Sequence, residues 1–233
     1  IWWLGDYTYF GTTSAILNGA SAWVPVIVCG LLGGILGGIF SQVLIFVSRG
    51  IPGRLGIFAK ANPVMFAAIC GFMLAVIGAL SGSTTYGTGY HEARSILEGS
   101  GDIPESFGIL KLLATLISYI SGIPGGVFAP SLAVGAGLGQ NIAQMMPFAP
   151  LGAVVVLGMV AYFAGVVQAP VTAFVIVMEM TDNHDMIVPL MATSLLAAGC
   201  SKVVCRKPLY RALADQFIYD PESNESKSSI RDK

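Results

Sequence analysis

The 233-residue chain is too apolar for most classes of soluble protein. Hydrophobic residues make up 55% of it, charged residues only 11%, and the formal net charge is −1. Soluble globular domains carry roughly 25% charged residues. The near-neutral charge gives no basis for nucleic-acid binding. The composition therefore predicts an all-α polytopic membrane protein.

Two long uncharged runs hold the first predicted membrane helices. Residues 23–48 and about 62–81 are each long enough to cross a bilayer, which takes roughly 20 apolar residues. Asn62 is expected to cap the second helix. In the first, Gly33-Gly34 and Gly37-Gly38 have the spacing of small residues that lets membrane helices approach closely.

A polar loop rich in threonine, tyrosine and glycine follows at Thr84–Tyr90. It does not contain the GxGxxG pattern and no strand precedes it, so it does not indicate a nucleotide site. A short surface helix is expected over residues 91–98. His91 is interpreted as a solvated side chain.

Four shorter apolar segments and one long one complete the membrane part. The short segments are predicted at residues 109–120, 128–146, 151–163 and 171–180, and the long one at residues 186–204. Glycine and proline interrupt the short segments at residues 121–127 and 165–170. Short, broken helices that meet at mid-depth are typical of secondary transporters.

The charge distribution predicts the orientation. Basic residues cluster at 49–60 and 202–211, whereas the loops at 92–105 and 182–185 are acidic. By the positive-inside rule the basic loops, and with them the C-terminus, are expected in the cytoplasm.

The chain is predicted to form one membrane unit over residues 1–218, of which about 207–218 is an amphipathic helix on the cytoplasmic side. Residues 219–233 are polar and expected to be disordered, and they are too few for a soluble regulatory domain. The opening Ile1-Trp2-Trp3, without an initiator methionine, leads us to expect a piece of a longer protein or one chain of a split transporter.

The most informative stretch is Ser121–Pro130, inside a run from Leu112 to Met178 that has no Asp, Glu, Lys or Arg. A helix is expected to start near Phe128, with Pro130 in its first turn. A helix that starts at membrane depth directs free N–H groups and a positive dipole end into a dry space. This arrangement predicts an anion site.

Other chemistries are less well supported by the residue pattern. The two histidines, His91 and His184, lie in acidic loops, and no carboxylate lies deep in a predicted span, so we expect neither an enzyme nor a metal site. Glu179 is the one candidate cation-transport carboxylate, and its place at a segment end favours a structural or interfacial role. The four cysteines are interpreted as small buried apolar residues: Cys29, Cys70, Cys200 and Cys205.

Ordered sequence matches suggest a family. Gly126-Val127-Phe128-Ala129-Pro130 matches the GxFxP signature of the CLC chloride channels and chloride/proton antiporters, and Ser121–Gly126 resembles the loop before it. Residues 169–183 and Lys207–Tyr210 also resemble that family. The resemblance covers residues 20–218 and corresponds to the second, C-terminal half of a prokaryotic-type membrane domain without a regulatory domain.

The resemblance implies one half of an inverted-repeat fold with re-entrant helices, and it implies site roles. The amides of Val127 and Phe128 would coordinate a central chloride, and the Tyr210 hydroxyl would coordinate the same ion from the cytoplasmic side. The implied supporting residues of this anion loop are Gly125, Gly126, Ala129 and Pro130. Chloride is then a bound substrate, and no cofactor is expected.

The resemblance also implies partners and leaves alternatives open. It implies an N-terminal half that holds the gating and proton-transfer glutamates, a homodimer with an interface near residues 171–204, and a prokaryotic inner membrane. The proton role is not transferred to Glu179. Chloride/proton antiport is the favoured function; the alternatives are a passive chloride channel, a fluoride-selective relative and, in another class, a membrane-embedded enzyme or packing subunit.

Overall fold

The computed structural model describes residues 10–17, 23–123 and 125–218, with side chains as far as Asp215. The described residues form helices and connecting loops, with no strand among them. The α-helices are α1 (Trp23–Ser48), α2 (Gly53–Ala61), α3 (Pro63–Leu80), α4 (Tyr90–Glu98), α5 (Phe107–Ile120), α6 (Phe128–Met145), α7 (Leu151–Val167), α8 (Pro170–Thr181), α9 (Ile187–Val204) and α10 (Leu209–Ile218). A short 3-10 turn, His184–Met186, precedes α9.

Helix α7 is the centre of the fold. Every residue from Ala153 to Val166 is buried, and α1, α6 and α9 pack around it. Such a helix has no polar face because each side meets another helix rather than water. Within the described part of the chain, three helical elements are long and apolar enough to cross a membrane: Trp23–Ser48, Pro63–Leu80 and His184–Val204.

The glycines of α1 bring two other helices into backbone contact. A Cβ atom on Gly33 would lie 2.6 Å from the Ala161 Cβ atom in α7, and one on Gly34 would lie 2.5 Å from the Ala197 carbonyl oxygen in α9. The same alternation continues one turn later at Gly37 and Gly38. The close packing predicted from the glycine spacing is confirmed. In each glycine pair of α1, one residue contacts α7 and the other contacts α9.

Helices α6 and α7 approach each other through glycines on both sides. A Cβ atom on Gly158 of α7 would lie 2.5 Å from the Gly135 carbonyl oxygen and 2.6 Å from the Gly139 Cα atom. Real Cβ atoms do not come this close to a backbone, so only glycine is compatible with this separation. The position of α6 is thereby fixed by α7.

The interruption between α7 and α8 is narrower than the predicted residues 165–170. Helix α7 runs to Val167 instead of Phe163, and the chain turns at Gln168, which has a left-handed φ of 57°. The Gln168 Nε2 atom donates to the Ser201 hydroxyl at 3.0 Å and to the Cys205 carbonyl at 2.6 Å. These bonds tie the end of α7 to the end of α9.

Three other local predictions are corrected. The basic segment that was expected to be a loop contains helix α2, Gly53–Ala61. Asn62 precedes α3 but its side chain makes no capping hydrogen bond. Helix α10 begins at Leu209, not at Lys207, because Pro208 disfavours helical backbone at the residue before it. The tail at 219–233 lies outside the described residues.

The packing of α6 on α7 generates a stability prediction. Gly158→Ala in the complete protein is expected to lower the free energy of unfolding by about 1–3 kcal/mol, because overpacking forces the two backbones apart. Gly71→Ala is the matched control, since a Cβ atom there has no atom within 4 Å. Unfolding in detergent measures both variants. Equal stability of the two would contradict the proposed helix separation.

Candidate functional site

The interruption between α5 and α6 carries the predicted anion loop. Gly125 and Gly126 are exposed, and a Cβ atom on either would have no atom within 4 Å. Val127 occupies the N-cap position of α6 and provides no side-chain cap. Helix α6 starts at Phe128 with Pro130 in its first turn, as the sequence predicts.

The N–H groups of this loop are free to bind a ligand. The backbone N–H groups of Gly125, Gly126, Val127 and Phe128 donate no hydrogen bond to another described residue. In contrast, the Val127 carbonyl accepts from the Ser131 N–H at 3.0 Å and from the Ser131 hydroxyl at 2.6 Å. The uncapped start of α6 therefore presents hydrogen-bond donors and a positive dipole end, while the Val127 carbonyl oxygen is already bonded to Ser131.

An aromatic contact holds the start of α6 in place. The Phe128 ring packs edge-on against the Phe163 ring of α7, with ring centroids 4.9 Å apart and an interplanar angle of 82°. Offset or edge-on geometry is the favourable arrangement for such pairs. The contact positions the first turn of α6 on the buried central helix.

Two cavities meet at the loop. The first, here named the Lys111 cavity, has a volume of about 170 Å³ and is lined by Lys111 together with Gly125, Gly126 and Val127. The second, the Lys60 cavity, has a volume of about 710 Å³ and is lined by Lys60 and the segment Ser121–Ile123. Both are also lined by Tyr119, Ile123 and Gly125. The loop residues Ile123 and Gly125 thus border both cavities.

Tyr210, unlike the loop residues, does not border either cavity. It lies in the first turn of α10 with half of its surface exposed. Its neighbour Leu209 is fully buried in an apolar cluster around Tyr162 against which Val127 also packs. The starts of α6 and α10 therefore share one cluster, and the role of the Tyr210 hydroxyl stays a prediction.

Lys111 is a residue that the sequence interpretation missed. Its side chain is only 2% exposed, and its Nζ atom donates to the carbonyl oxygens of Thr85 at 2.9 Å and Gly87 at 2.8 Å. The loop Thr84–Tyr90, which had no assigned role, thus surrounds an ammonium group. The signal was available, since a single lysine in an apolar helix is a functional-site hypothesis by default.

The other residues considered in the sequence analysis are placed as follows, and one of them, Cys200, is only partly buried, contrary to the prediction. His91 is exposed on α4. The Glu179 side chain is 63% exposed, with its Oε1 atom 3.7 Å from Nε2 of His184, so it is an exposed carboxylate near the end of α8. All four cysteines are free, and three of them are buried. Across the described part of the chain, no group of three or more His, Cys, Asp or Glu could hold a metal ion.

The fold and the site together define a class of protein. Apolar helices long enough to span a bilayer are combined with a broken segment that borders two cavities, as is typical of helical membrane transporters. Residues 1–202 match the sequence pattern of the family described as voltage gated chloride channel. The chain belongs to this family and is part of an integral membrane protein.

A curated relative agrees with this assignment. The chain is 32% identical over 235 residues to the H(+)/Cl(-) exchange transporter ClcA of Yersinia pestis bv. Antiqua (strain Angola), with 93% of this chain and 48% of the relative covered. The chain therefore spans about half the length of this relative. The CLC family predicted from the GxFxP match is confirmed.

Solved structures share the fold. A CLC-type fluoride/proton antiporter superimposes with a TM-score of 0.74 at 22% identity, covering 89% of this chain and 51% of that one. A slow cyanobacterial Cl⁻/H⁺ antiporter superimposes with a TM-score of 0.68 at 27% identity, covering 91% and 50%. The all-α fold with broken helices is confirmed, and the first likeness bears on the fold alone.

The buried Tyr162 hydroxyl generates a prediction about the cluster beneath the site. It is fully buried and has no hydrogen-bond partner among the described residues. Tyr162→Phe is expected to leave the free energy of unfolding unchanged or raise it by about 1 kcal/mol, because it removes an unsatisfied polar group. Tyr162→Ala, which also removes the ring, is expected to lower it by about 3–5 kcal/mol. A clear loss of stability in Tyr162→Phe would show that the hydroxyl has a partner.

Proposed function

We propose that this chain forms one wall of a chloride/proton antiporter. The observation that carries the proposal is the row of free N–H groups from Gly125 to Phe128 between two cavities. The relative named as an H(+)/Cl(-) exchange transporter supports the substrate class. The other wall is contributed by a further stretch of the protein, since the chain spans half of that relative.

The proposed site binds chloride weakly, through backbone amides. The amides of Val127 and Phe128 donate to chloride, and the exposed Gly125 and Gly126 let the backbone approach the ion without side-chain obstruction. Ala129 and Pro130 continue the first turn of α6 and keep its N–H groups aligned. Because amide dipoles carry no full charge, the ion is bound but can leave, which conduction and exchange both require.

The proposed orientation puts the Lys60 cavity and the C-terminus on the cytoplasmic side, as the positive-inside rule implies. Tyr210 then contacts the ion from that side. We further propose a homodimer in a prokaryotic inner membrane, with an interface formed near residues 171–204. Large exposed apolar side chains on α8 and α9 support a covered surface there, among them Val171, Val188 and Leu195.

Proton coupling is assigned to residues outside this chain. Among the carboxylates of the described residues, Glu179 is exposed at a helix end and lines neither cavity at the loop. A passive chloride channel would use the same anion loop, so proton counter-flow measured with chloride efflux separates the two modes. A fluoride-selective transporter would show fluoride flux exceeding chloride flux in the same assay.

The role of Tyr210 provides the test of this proposal. In the complete protein, Tyr210→Ala and Tyr210→Phe are each expected to raise the chloride dissociation constant about tenfold, because each removes one hydrogen bond to an anion. Isothermal titration calorimetry measures the binding. The control is Phe148→Ala, which truncates a similarly exposed aromatic residue in the turn between α6 and α7. Unchanged affinity in both Tyr210 variants would remove this residue from the site, and a parent protein that neither binds nor transports chloride would refute the function.

A further inference from the structure

A buried cation faces the same cavity as the anion loop. Lys111 is the one charged residue of α5 and the one charged residue that lines the Lys111 cavity. The cavity also contains the backbone of Gly125, Gly126 and Val127. Its volume of about 170 Å³ admits several water-sized particles, since each needs only about 10–15 Å³ of such space.

The ammonium group is held by carbonyl oxygens alone. An ammonium has three N–H donors, and two of them go to Thr85 and Gly87. The third has no acceptor among the described residues, and no carboxylate there lies within ion-pair distance of Lys111. Among the described residues, Glu92 on α4 is a more distant carboxylate whose negative charge favours the charged form of Lys111.

The surrounding loop is built to keep this group in position. Tyr86 packs against Gly78 of α3 and donates from its hydroxyl to the Ala75 carbonyl at 3.4 Å. Gly89 leaves room for the lysine side chain, because a Cβ atom there would lie 2.9 Å from the Lys111 Cε atom. The carbonyls of Thr85 and Gly87 are thereby fixed around Nζ.

A structural tether does not by itself require a charge. A neutral donor could satisfy the same two carbonyls, whereas burial of an unpaired ammonium in an apolar protein is costly. The charge therefore has a use, and the cavity shows what it acts on. A cation at one part of the wall and free N–H groups at another both favour an anion in the cavity between them.

We propose that Lys111 is a specificity-determining residue that attracts chloride into the Lys111 cavity and sets the affinity for the ion approaching the loop from that side. This inference rests on the proposed transport function. The two carbonyls hold the ammonium at the wall and share its donors, so the ion is drawn in without forming a tight ion pair. Glu92 moderates the potential from α4.

The test separates the effect of the Lys111 charge from the effect of its hydrogen bonds, in the complete protein reconstituted in liposomes. Lys111→Met removes the charge and keeps the length of the side chain, and it is expected to raise the chloride KM about tenfold while turnover at saturating chloride stays within about threefold. Lys111→Arg retains the charge, and its KM is expected to stay within about threefold of the parent value. Equal impairment of both variants would indicate a tether only and overturn the proposal, as would a folded Lys111→Met protein with the parent KM.

A second variant leaves the lysine and its hydrogen bonds untouched. Glu92→Gln removes the moderating negative charge, so the chloride KM is expected to fall about twofold. Glu98→Gln is the matched control on the same helix, because Glu98 is paired with Arg94 at 2.8 Å and does not line the cavity. If Lys111→Met fails to fold, an unchanged KM in Glu92→Gln overturns the proposal.

The outcomes separate this inference from the function on which it rests. A parent protein without chloride transport overturns both. A parent protein that transports chloride, with Lys111 and Glu92 variants indistinguishable from it, overturns only the role of Lys111. Lys60→Met tests the Lys60 cavity. Its effect on the chloride KM is expected for chloride supplied from the opposite side of the membrane.

Discussion

The close approach of α1 and α6 to α7, and of α9 to α1, is the constraint on which the rest of the structure depends. Gly33, Gly135 and Gly158 place backbones where a single methyl group would collide with a neighbouring main chain. In a membrane, where lipid tails compete with apolar side chains, such backbone contact is a main source of helix association. The start of α6 is therefore positioned by a rigid centre and not by the loop itself.

Function follows from what this packing leaves unsatisfied. Phe128 fixes the first turn of α6 on α7, and the N–H groups from Gly125 to Phe128 find no acceptor among the described residues. A row of donors without acceptors among the described residues, beside two cavities, supports the proposed anion site. The donors suit the proposed anion, and the proposed role of Lys111 is to attract it from one side of the loop.

Much of the fold could be predicted from the sequence because lipid imposes simple rules. The run Trp23–Ser48 is a helix with the predicted bounds, and the spacing of Gly33 and Gly37 indicated close packing before any neighbour was known. The helix start at Phe128 is predicted because Pro130 is tolerated only in the first turn of a helix and the preceding glycines break the segment before it. Helix α2 was missed because its basic residues and glycines resemble a loop.

The parts that could not be predicted depend on residues distant in the sequence. The acceptors of Lys111 lie 26 and 24 residues before it, in a loop whose shape depends on Tyr86 fitting against Gly78. The turn at Gln168 depends on Ser201 and Cys205, which are more than thirty residues away. No periodicity of the chain encodes such pairs. The proposed contact between Tyr210 and an ion depends in addition on the proposed opposite wall, which is not part of this chain.

The proposed function requires that an anion binds at the free N–H groups that begin α6. The most direct measurement is a crystal structure of the complete protein with bromide in place of chloride, using the anomalous signal of the ion. A peak is expected within hydrogen-bond distance of the backbone nitrogens of Val127 and Phe128. Well-ordered density for this loop without a bromide peak, while bromide is still transported, would contradict it.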